Sequence, residues 1–546
     1  MDNREYPDRK EGSKDDYDGH IDPHKLAKLP KHWWEYPALL KLNIGLLSGL
    51  LAWVTTGFDG SMLNGLQAVP SWTEYFDNPS GARLGTMANG FAYGNLITIF
   101  MSFWLCERFG RRWPLFGSAL ILIVGTIVQT AAQNFVTFVL SRFIVGMGTG
   151  ILGVVSLLLL AEVSYPTHRA VITAMTAIFW PVGALIAAAV TYGTFQMQST
   201  WAWRLPSLLQ GVLPVVQMVL VYFTPESPRW LVDQNRREEA EEVLVKYHGL
   251  GDQNSALVHY ELVEISAAIE TEKINRSSKW KQWFSSRGNF YRLALLIFLG
   301  FARQLQGNAL VSYYLVLVLE SIGIRGSKET LIINVGLQVW SVVTCAAFAV
   351  TVDKLGRRRQ LLIAFAIMFF AFLIWTICSA KAAQTNYQNK GLSAAVLLMI
   401  FIFQGGSHFF SPAVYTLIME IPQYSLRSKG SMIFSLAQNL AGIFSGYVNP
   451  IAIDAISWRY YIVYVALLAF DFAVVYLYLP ETANMTLEEV AGIFDGEDAL
   501  ISWRGVCRAN RQERREHASK YVENALKQVT AIHKEDIELV EHVERT

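Results

Sequence analysis

The sequence predicts an all-α membrane protein in which twelve transmembrane helices form two pseudo-symmetric six-helix bundles. Hydrophobic residues make up 52% of the 546 residues and charged residues only 17%, whereas about a quarter of an ordinary soluble domain is charged. Apolar segments recur along the chain, and each is close to the roughly 20 residues that a helix needs to cross a bilayer. The same short motifs follow corresponding segments in the two halves.

The twelve apolar segments fall into two groups of six, separated by a polar stretch. They span 43–63, 85–106, 114–134, 137–160, 171–193, 205–223, 291–319, 330–352, 360–380, 393–419, 429–451 and 459–479. These boundaries predict bundles at 43–223 and 291–479, joined by a cytosolic linker with amphipathic helices at 224–290. Residues 1–42 are predicted to be a disordered cytosolic tail, and 480–546 a charged cytosolic tail.

Basic residues in the short loops predict the orientation of the bundles. Clusters at 108–112 and 354–359, with further Lys and Arg after the fourth and tenth segments, outnumber the basic residues in the other set of loops. Because cytosolic loops are enriched in Lys and Arg, we expect these loops, the linker and both termini to face the cytosol.

Three motifs occur once in each half and in the same order. The first reads ERFGRR at 107–112 and DKLGRR at 353–358. In the second, a glutamate precedes an arginine by seven residues, at Glu162 and Arg169 and again at Glu420 and Arg427. The third reads PESPR at 225–229 and PET at 480–482. Such a repeat indicates two related bundles with a path for a solute between them.

These residues resemble the sugar porter family of the major facilitator superfamily over roughly residues 43–490. The segments FDGS at 58–61, GNALVSYY at 307–314 and NPIAIDAISWRYY at 449–461 are similar to fungal lactose and cellodextrin permease-type members and hexose transporters. The resemblance implies the major facilitator fold and a secondary active transporter without cofactors. Such a protein would move a sugar or sugar-like solute by alternating access with proton symport, by default in the plasma membrane.

The repeated motifs predict a gate on the cytosolic side. Gly110 and Gly356 permit tight turns, so that neighbouring arginines can reach carboxylates at adjacent helix ends. Such pairs would hold the cytosolic side shut in one state and separate in the other, although ordinary loop charges are the alternative. The predicted gate residues are Glu107, Arg111, Arg112, Glu162, Arg169, Glu226, Arg229, Asp353, Arg357, Arg358, Glu420, Arg427 and Glu481.

Ionisable residues inside the predicted helices indicate functional positions, because a charge in a bilayer needs a partner or a cavity. By resemblance to proton-coupled sugar porters, Asp59 is the expected proton carrier and Arg142 its counter-ion. A permanently ionised structural pair in a uniporter is the alternative. For Asp471 we expect a structural pair or a hydrogen bond, and for His408 a hydrogen-bonded packing role.

Sugar recognition calls for amides, which both donate and accept hydrogen bonds, and for aromatic faces. By resemblance, the residues expected to line the central site are Gln304, Asn308, Tyr313, Tyr314, Tyr415, Gln438 and Asn439. Gln304 and Asn308 are four residues apart and would share a face of one helix. At least one of Tyr313 and Tyr314 could instead serve helix packing.

The family pattern is broken at three positions, where Ala177 and Ser341 replace amides and Arg303 replaces a frequent Gln. Losing two amides removes hydrogen bonds that a polyhydroxylated ligand needs. Arg303 would favour a carboxylate or another anion if it faces the cavity, or it would pair with Asp59 or Asp471.

Two alternatives to sugar uptake therefore remain open. The same fold could carry a non-sugar, perhaps anionic, metabolite, or the protein could be a nutrient receptor without transport. An enzyme is the least supported class, since no catalytic set, phosphate loop or metal cluster occurs in the sequence. The four cysteines are spaced too far apart for a metal site, and no basic stretch indicates nucleic acid. The expected partners are a small solute, protons and the bilayer.

Overall fold

The computed structural model of the protein describes residues 27, 29–275, 280–348, 355–423, 426–483, 490, 493–494, 501–502 and 505–506. Most of the two predicted tails and the predicted gate residue Asp353 lie outside these residues. The described chain is helical apart from one antiparallel hairpin of two short strands, β1 (Ile501–Ser502) and β2 (Gly505–Val506).

Twelve long helices, which we number α1 to α12, follow one another along the described chain. They are α1 (Pro37–Leu66), α2 (Gly81–Phe109), α3 (Arg112–Thr130), α4 (Phe135–Val163), α5 (Pro166–Thr194), α6 (Trp201–Phe223), α7 (Arg287–Glu320), α8 (Ser327–Phe348), α9 (Arg357–Gln384), α10 (Lys390–Glu420), α11 (Arg427–Ile456) and α12 (Tyr461–Tyr478). Two of them are interrupted, α6 between Leu209 and Val212 and α7 between Leu305 and Asn308.

Length and composition alone identify ten runs among the described residues that could span a membrane. One of them, Lys429–Tyr478, has 50 residues and contains both α11 and α12, which Ser457 separates with a φ of 46°. The ten do not include α2, whose apolar content is lowered by polar residues such as Asn89 and Asn95. This helix has 29 residues and packs along α4 of its own bundle and α11 of the other, so the predicted fold of twelve transmembrane helices is confirmed.

The helices extend beyond the apolar segments that the sequence delimits. For example, α1 begins at Pro37 inside the predicted tail, where proline at the first helical position needs no hydrogen-bond acceptor. The start of α4 is set by Asn134, whose side chain accepts from the backbone N–H of Thr137 in a capping box. Helix length therefore follows capping residues as well as the thickness of the hydrocarbon.

The glycines of the first repeated motif adopt the predicted turn conformation. Gly110 and Gly356 have φ values of 85° and 87°, which L side chains rarely adopt. A Cβ atom on Gly110 would lie 2.3 Å from a carboxylate oxygen of Glu226, and one on Gly356 would lie 2.9 Å from Glu481. Glycine is needed here both for the turn and for the close approach of a carboxylate to the backbone.

Each half of the protein has its own apolar core. In the second half one continuous cluster includes Leu299, Phe365 and Phe410. The first half has two clusters, represented by Leu152 and Phe138. Most of each core comes from one half, while Tyr314 of the second half packs into the cluster that contains Phe138.

Contacts between the halves are formed by three helix pairs, α2 with α11, α5 with α8, and α1 with α7. We call the end of the molecule that carries the repeated motifs the motif end, and the other the far end. Among described residues, the hydrogen bonds that join the halves lie toward the far end. Their residues in the first half are Asn64, Gln67, Gly81, Thr86, Asn89 and Tyr93, and in the second half Val311, Tyr313, Leu315, Ile443, Tyr447 and Asp454.

The far end is also closely packed. A Cβ atom on Gly85 of α2 would lie 2.9 Å from the carbonyl oxygen of Gly446 of α11, so the two backbones nearly touch. Ala68, Val316 and Leu331 add a small apolar cluster across the same boundary. The structure is therefore closed between the halves at the far end.

The linker forms helices at Pro228–Asp233, Arg237–Tyr247 and Ala256–Asn275, and a 3-10 turn at Trp280–Phe284. Apolar residues of the three helices pack against one another in a small cluster that includes Leu244. The cluster is fastened to the first half at the motif end.

The buried His248 forms one contact between the linker and the first half. Its Nδ1 lies 2.6 Å from a carboxylate oxygen of Glu261, and its Nε2 lies 3.3 Å from the carbonyl oxygen of Val163 at the end of α4. A second point is the indole N–H of Trp230, which donates to the carbonyl oxygen of Glu107 at 2.9 Å. The linker helices therefore follow the first half when it moves.

Candidate functional site

A buried charged cluster lies inside the first half at the level of the interrupted α6. The guanidinium of Arg142 on α4 donates a hydrogen bond to the carboxylate of Asp59 on α1, and both residues are almost fully buried. Gln210, in the interruption of α6, donates to the same carboxylate oxygen at 2.8 Å. A buried ion pair is tolerated only where hydrogen bonds compensate for lost hydration, and Gln210 supplies one.

Two polar atoms of this cluster lack hydrogen-bond partners. The second carboxylate oxygen of Asp59 and the Nε of Arg142 are buried without a hydrogen-bond partner. The guanidinium carbon of Arg142 lies 5.5 Å from the centre of the Phe91 ring, within cation–π range. Part of the hydrogen-bonding capacity of this buried pair is therefore unused.

Of the two roles left open for Arg303, pairing with Asp59 or Asp471 is not seen among the described residues. Asp59 is engaged by Arg142 and Gln210, and Asp471 lies buried on the inner face of α12, which packs on α9. Among described residues, no salt bridge or hydrogen bond reaches either Asp471 or Arg303. Helical spacing could not decide this point, because pairing depends on which helices face each other.

The predicted shared face of Gln304 and Asn308 assumed a continuous helix, and this assumption is wrong. Gly307 lies between them with a φ of 109°, so the second part of α7 starts afresh at Asn308. Gln304 lies against α11, where a Cβ atom on Gly442 would be 3.5 Å from its amide nitrogen. Asn308 accepts a long hydrogen bond of 3.4 Å from Ser312.

The two adjacent tyrosines of α7 have different surroundings. Tyr314 is fully buried, and its hydroxyl donates to the carbonyl oxygen of Gly446 at 2.6 Å. It packs into the apolar cluster of the first half that contains Phe58, so its role is to close the far end. Tyr313 is partly exposed and lies within electrostatic range of Asp59 and Arg142.

The remaining predicted site residues lie on α10 and α11. Gln438 is half-buried, and the neighbouring Asn439 donates to the carbonyl oxygen of Ser435 in its own helix at 2.9 Å. Tyr415 is 50% exposed, and its ring contacts Phe434 edge-on with the centroids 6.3 Å apart. Gln438 and Tyr415 thus have part of their surface uncovered by the rest of the protein, and their role in binding stays a prediction.

A second polar cluster, between α8 and α10, was not predicted as a unit. His408 contacts the thiol of Cys345 at 3.0 Å through Nδ1 and the amide of Gln404 at 3.2 Å through Nε2. The same Gln404 amide lies 3.5 Å from the hydroxyl of Ser341. The hydrogen-bonded role expected for His408 is in accord with these contacts. Gln404 could have been noticed as an amide one helical turn before His408 in an apolar segment.

The repeated motifs form two matching networks at the motif end. In the first half, Arg111 donates to Glu162 at 2.9 Å, and the Ser227 hydroxyl donates to the other oxygen of Glu162 at 2.5 Å. In the second half, Arg357 donates to Glu420 at 3.0 Å and the Thr482 hydroxyl donates to Glu420 at 2.6 Å. The hydroxyl partners Ser227 and Thr482 were not predicted, although both follow the glutamate of the third motif.

The glutamates of the third motif cap the turn after the glycine. Glu226 accepts from the backbone N–H groups of Arg111 at 2.8 Å and of Arg112 at 3.2 Å. Burial raises the pKa of the Glu226 carboxyl, and these N–H groups and that of Ser227 oppose the shift. Glu481 accepts from the backbone N–H of Arg357 at 2.9 Å in the second half.

The second arginines of the first motif hold carbonyl groups at neighbouring helix ends. Arg112 donates to the carbonyl oxygen of Tyr222 at 2.5 Å, and Arg358 donates to that of Tyr476 at 2.6 Å. Arg169 lies 3.9 Å from Glu261 of the linker. Other predicted gate residues lie at the motif end, namely Glu107 at the end of α2, Arg229 in the linker and Arg427 at the start of α11.

The structure places several predicted gate residues in contact at the motif end, and their opening and closing during transport stays a prediction. The pairs Arg111 with Glu162 and Arg357 with Glu420 each lie within one half of the protein. They tie the helix ends of one bundle to each other, so each bundle is stiffened at its motif end.

We expect Arg111→Gln to lower the free energy of unfolding by about 1–3 kcal/mol, because Glu162 would be left partly buried without its charged partner. Thermal unfolding of the purified protein in detergent, followed by intrinsic fluorescence, measures the change. Arg83→Gln is the matched control, since Arg83 and Asp77 form an exposed pair at the far end. Equal effects of the two variants would argue against a structural network.

Comparison with known proteins agrees with this architecture. The family described as "Sugar (and other) transporter" matches residues 44–494. The hexose transporter HXT8 of Saccharomyces cerevisiae is 27% identical over 432 residues, covering 78% of this chain and 75% of that protein. The MFS glucose transporter mfs1 of Aspergillus flavus is 27% identical over 503 residues, covering 87% of this chain and 93% of that protein.

Among solved structures, the proton:xylose symporter XylE bound to 6-bromo-6-deoxy-D-glucose has a TM-score of 0.67 at 20% identity. The match covers 85% of this chain and all of the other. The inward open conformation of the xylose transporter XylE from E. coli has a TM-score of 0.69 at 22% identity, covering 82% of this chain and 99% of that one. This chain is thus a multi-pass membrane transporter with the major facilitator fold, and it belongs to the sugar (and other) transporter family.

Proposed function

We propose that the protein moves a sugar or sugar-like solute across the membrane by alternating access, with a proton carried on Asp59. The observation that carries this proposal is the buried cluster of Asp59, Arg142 and Gln210, placed in a bundle that meets its partner bundle at the far end. A titratable pair of this kind is expensive in a membrane and indicates function.

Two features support alternating access. The hydrogen bonds identified between the halves lie toward the far end, while at the motif end Arg111 pairs with Glu162 inside the first bundle and Arg357 with Glu420 inside the second. Two stiff bundles with closure at one end can rock about the boundary, so that a central cleft opens first to one side and then to the other.

A proton can be coupled to this motion through the charge of Asp59. When the carboxyl is ionised, it neutralises Arg142 and accepts from Gln210. When it is protonated, Arg142 is left as a buried charge without a counter-ion, which favours a rearrangement of α1 and α4. A proton therefore binds with different affinity to the two arrangements, and this difference is what coupling requires.

The solute class follows from the relatives and from the central side chains. The relatives described above are named as hexose and glucose transporters, and XylE as a proton:xylose symporter. Gln304, Gln438 and Tyr415 offer amides and an aromatic ring of the kinds that bind sugars. We infer that the protein lies in the plasma membrane, with the motif end and both termini on the cytosolic side. The basic residues in the loops of the motif end support this orientation.

Uptake by the purified protein in liposomes tests the proposal. Vesicles with an alkaline interior are given radiolabelled hexoses and pentoses, and accumulation is compared with vesicles lacking a pH gradient. Gradient-dependent accumulation of at least one sugar is expected, and a protonophore should remove it. Binding of a sugar without uptake under any gradient would point to a receptor, the alternative that the sequence leaves open.

A further inference from the structure

Arg303 is partly buried, and it differs from the buried arginines Arg142 and Arg292 in its hydrogen-bond partners. Arg142 has the carboxylate of Asp59, and the fully buried Arg292 donates to the carbonyl oxygen of Ile421 at 3.1 Å and to Asn289 at 2.9 Å. For Arg303, no hydrogen bond or salt bridge is recorded to any part of the chain that the structure describes, and its Nε is buried without a partner. A charged side chain inside a membrane bundle pairs with an opposite charge or faces a water-filled cavity, and a partly exposed guanidinium without a protein partner is available there to an anion.

The surroundings of Arg303 are polar but carry no compensating negative charge. Arg303 lies within electrostatic range of Cys345 and His408, which with Gln404 form the polar cluster between α8 and α10. The side-chain oxygen of Gln404 is buried without a hydrogen-bond partner, and Gln404 is only 6% exposed. The site thus combines one cation with neutral groups that can donate and accept hydrogen bonds.

The helix that carries Arg303, α7, also contacts α1 of the first half. Tyr313, in the second part of α7, lies within electrostatic range of Arg303 and of the Asp59–Arg142 pair. Since Asp59 and Arg142 neutralise each other, Arg303 leaves the centre of the described bundle with an excess positive charge.

We propose that Arg303 and the cluster of Ser341, Cys345, Gln404 and His408 form an anion subsite, and that the transported solute is a sugar acid whose carboxylate pairs with Arg303. This inference rests on the proposed function and specifies its substrate class. A planar guanidinium binds a carboxylate through two parallel hydrogen bonds. Gln304 and Gln438 remain available for hydroxyl groups, while Ala177 and Ser341 offer fewer contacts than amides to a neutral hexose.

Binding of a carboxylate at Arg303 changes the net charge that crosses the membrane in each transport cycle. A neutral hexose that enters with one proton moves one positive charge across the membrane. A carboxylate sugar that enters with one proton moves no net charge, because the proton on Asp59 compensates for the carboxylate at Arg303. Uptake of the acid should therefore respond to the pH gradient and not to the membrane potential.

Uptake of D-glucuronate and D-glucose by the full-length protein in liposomes tests the subsite. In the wild type, D-glucuronate is expected to have the lower KM. Arg303→Gln should raise the KM for D-glucuronate by about 10- to 100-fold, because charge-assisted hydrogen bonds are lost, with less effect on D-glucose. The KM of Arg303→Lys for D-glucuronate should lie between those of the wild type and Arg303→Gln, because lysine keeps the charge and loses the bidentate geometry. Arg83→Gln, at the exposed far-end pair, is the control for loss of one positive charge.

A potassium diffusion potential set with valinomycin provides a readout that a structural role for Arg303 would not affect. D-glucuronate uptake at a fixed pH gradient should be unchanged by the potential, whereas D-glucose uptake should increase when the interior is negative.

If D-glucose is accumulated and D-glucuronate neither enters nor competes, the anion subsite is wrong and the proposed function stands. If neither D-glucuronate nor D-glucose is bound or transported, the anion subsite is wrong, and the panel of hexoses and pentoses decides the proposed function. Should Arg303→Gln fail to elute as a monodisperse protein, the wild-type preference and Arg303→Lys decide the question.

Discussion

Asp59→Asn is expected to abolish accumulation driven by a pH gradient while exchange of solute across the membrane remains measurable. Asn has nearly the same shape and can still accept from Gln210, but it neither titrates nor neutralises Arg142. The variant therefore remains in a state resembling protonated Asp59. Accumulation ratios in alkaline-inside liposomes should fall to those of passive equilibration, and counterflow of labelled solute should persist.

The controls for Asp59→Asn separate proton transfer from loss of fold. Asp77→Asn removes an exposed carboxylate at the far end and should leave accumulation unchanged. Asp59→Asn combined with Arg142→Gln removes the uncompensated charge, whose burial alone is expected to be destabilising by about 3–5 kcal/mol, and should also fail to accumulate solute. Continued accumulation by either Asp59 variant would show that the proton binds elsewhere. Asp471→Asn then becomes the next test. Like Asp59, Asp471 is a carboxylate buried in a membrane-spanning helix, but among the described residues it has no hydrogen-bond or salt-bridge partner.

Gly85→Val should reduce transport by at least about tenfold through loss of closure at the far end. A Cβ atom at this position would lie 2.9 Å from the carbonyl oxygen of Gly446 and 3.0 Å from the Tyr447 ring, so α2 and α11 could not approach. A difference of about 1.4 kcal/mol between two states already changes their ratio tenfold, and a backbone clash exceeds this amount. Initial rates of uptake in liposomes measure the effect.

Gly193→Val is the matched control for this substitution. Gly193 lies near the far end of α5, and a Cβ atom there would meet nothing within 4 Å. The two variants share the same change in helix propensity and side-chain size. Gly193→Val should transport as the wild type does. Wild-type rates in Gly85→Val would mean that α2 and α11 need not come together during the cycle, and alternating access about this boundary would be wrong.

The sequence sufficed for features that depend on local spacing. The apolar segments predicted the helices, and the positive φ values of Gly110 and Gly356 agree with the turn inferred from the repeated motif. The contact between Asp59 and Arg142 was inferred from resemblance, and the structure places the two side chains together. In each of these cases, the residue type and its position along the chain already limit the conformation.

Features that depend on neighbouring helices were not predictable in the same way. Gln210 and Gln404 look like isolated amides in apolar segments, and only packing shows that they contact Asp59 and His408. The break at Gly307 also escaped helical periodicity, because a glycine is compatible with a continuous helix as well as with a kink. The sequence left two roles open for Arg303 for the same reason, since a list of charges does not state which helices face each other.

The two motif-end networks have a consequence for biosynthesis. The partners of Arg111 in its network, Glu162 and the backbone of α2, all lie in the first half of the chain. The linker is fastened to that half as well, through His248 and Trp230. When only the first bundle and the linker have been translated, the chain already contains the partners of the charged helix ends of that bundle. The first bundle can therefore fold in the bilayer while the second is still being synthesised.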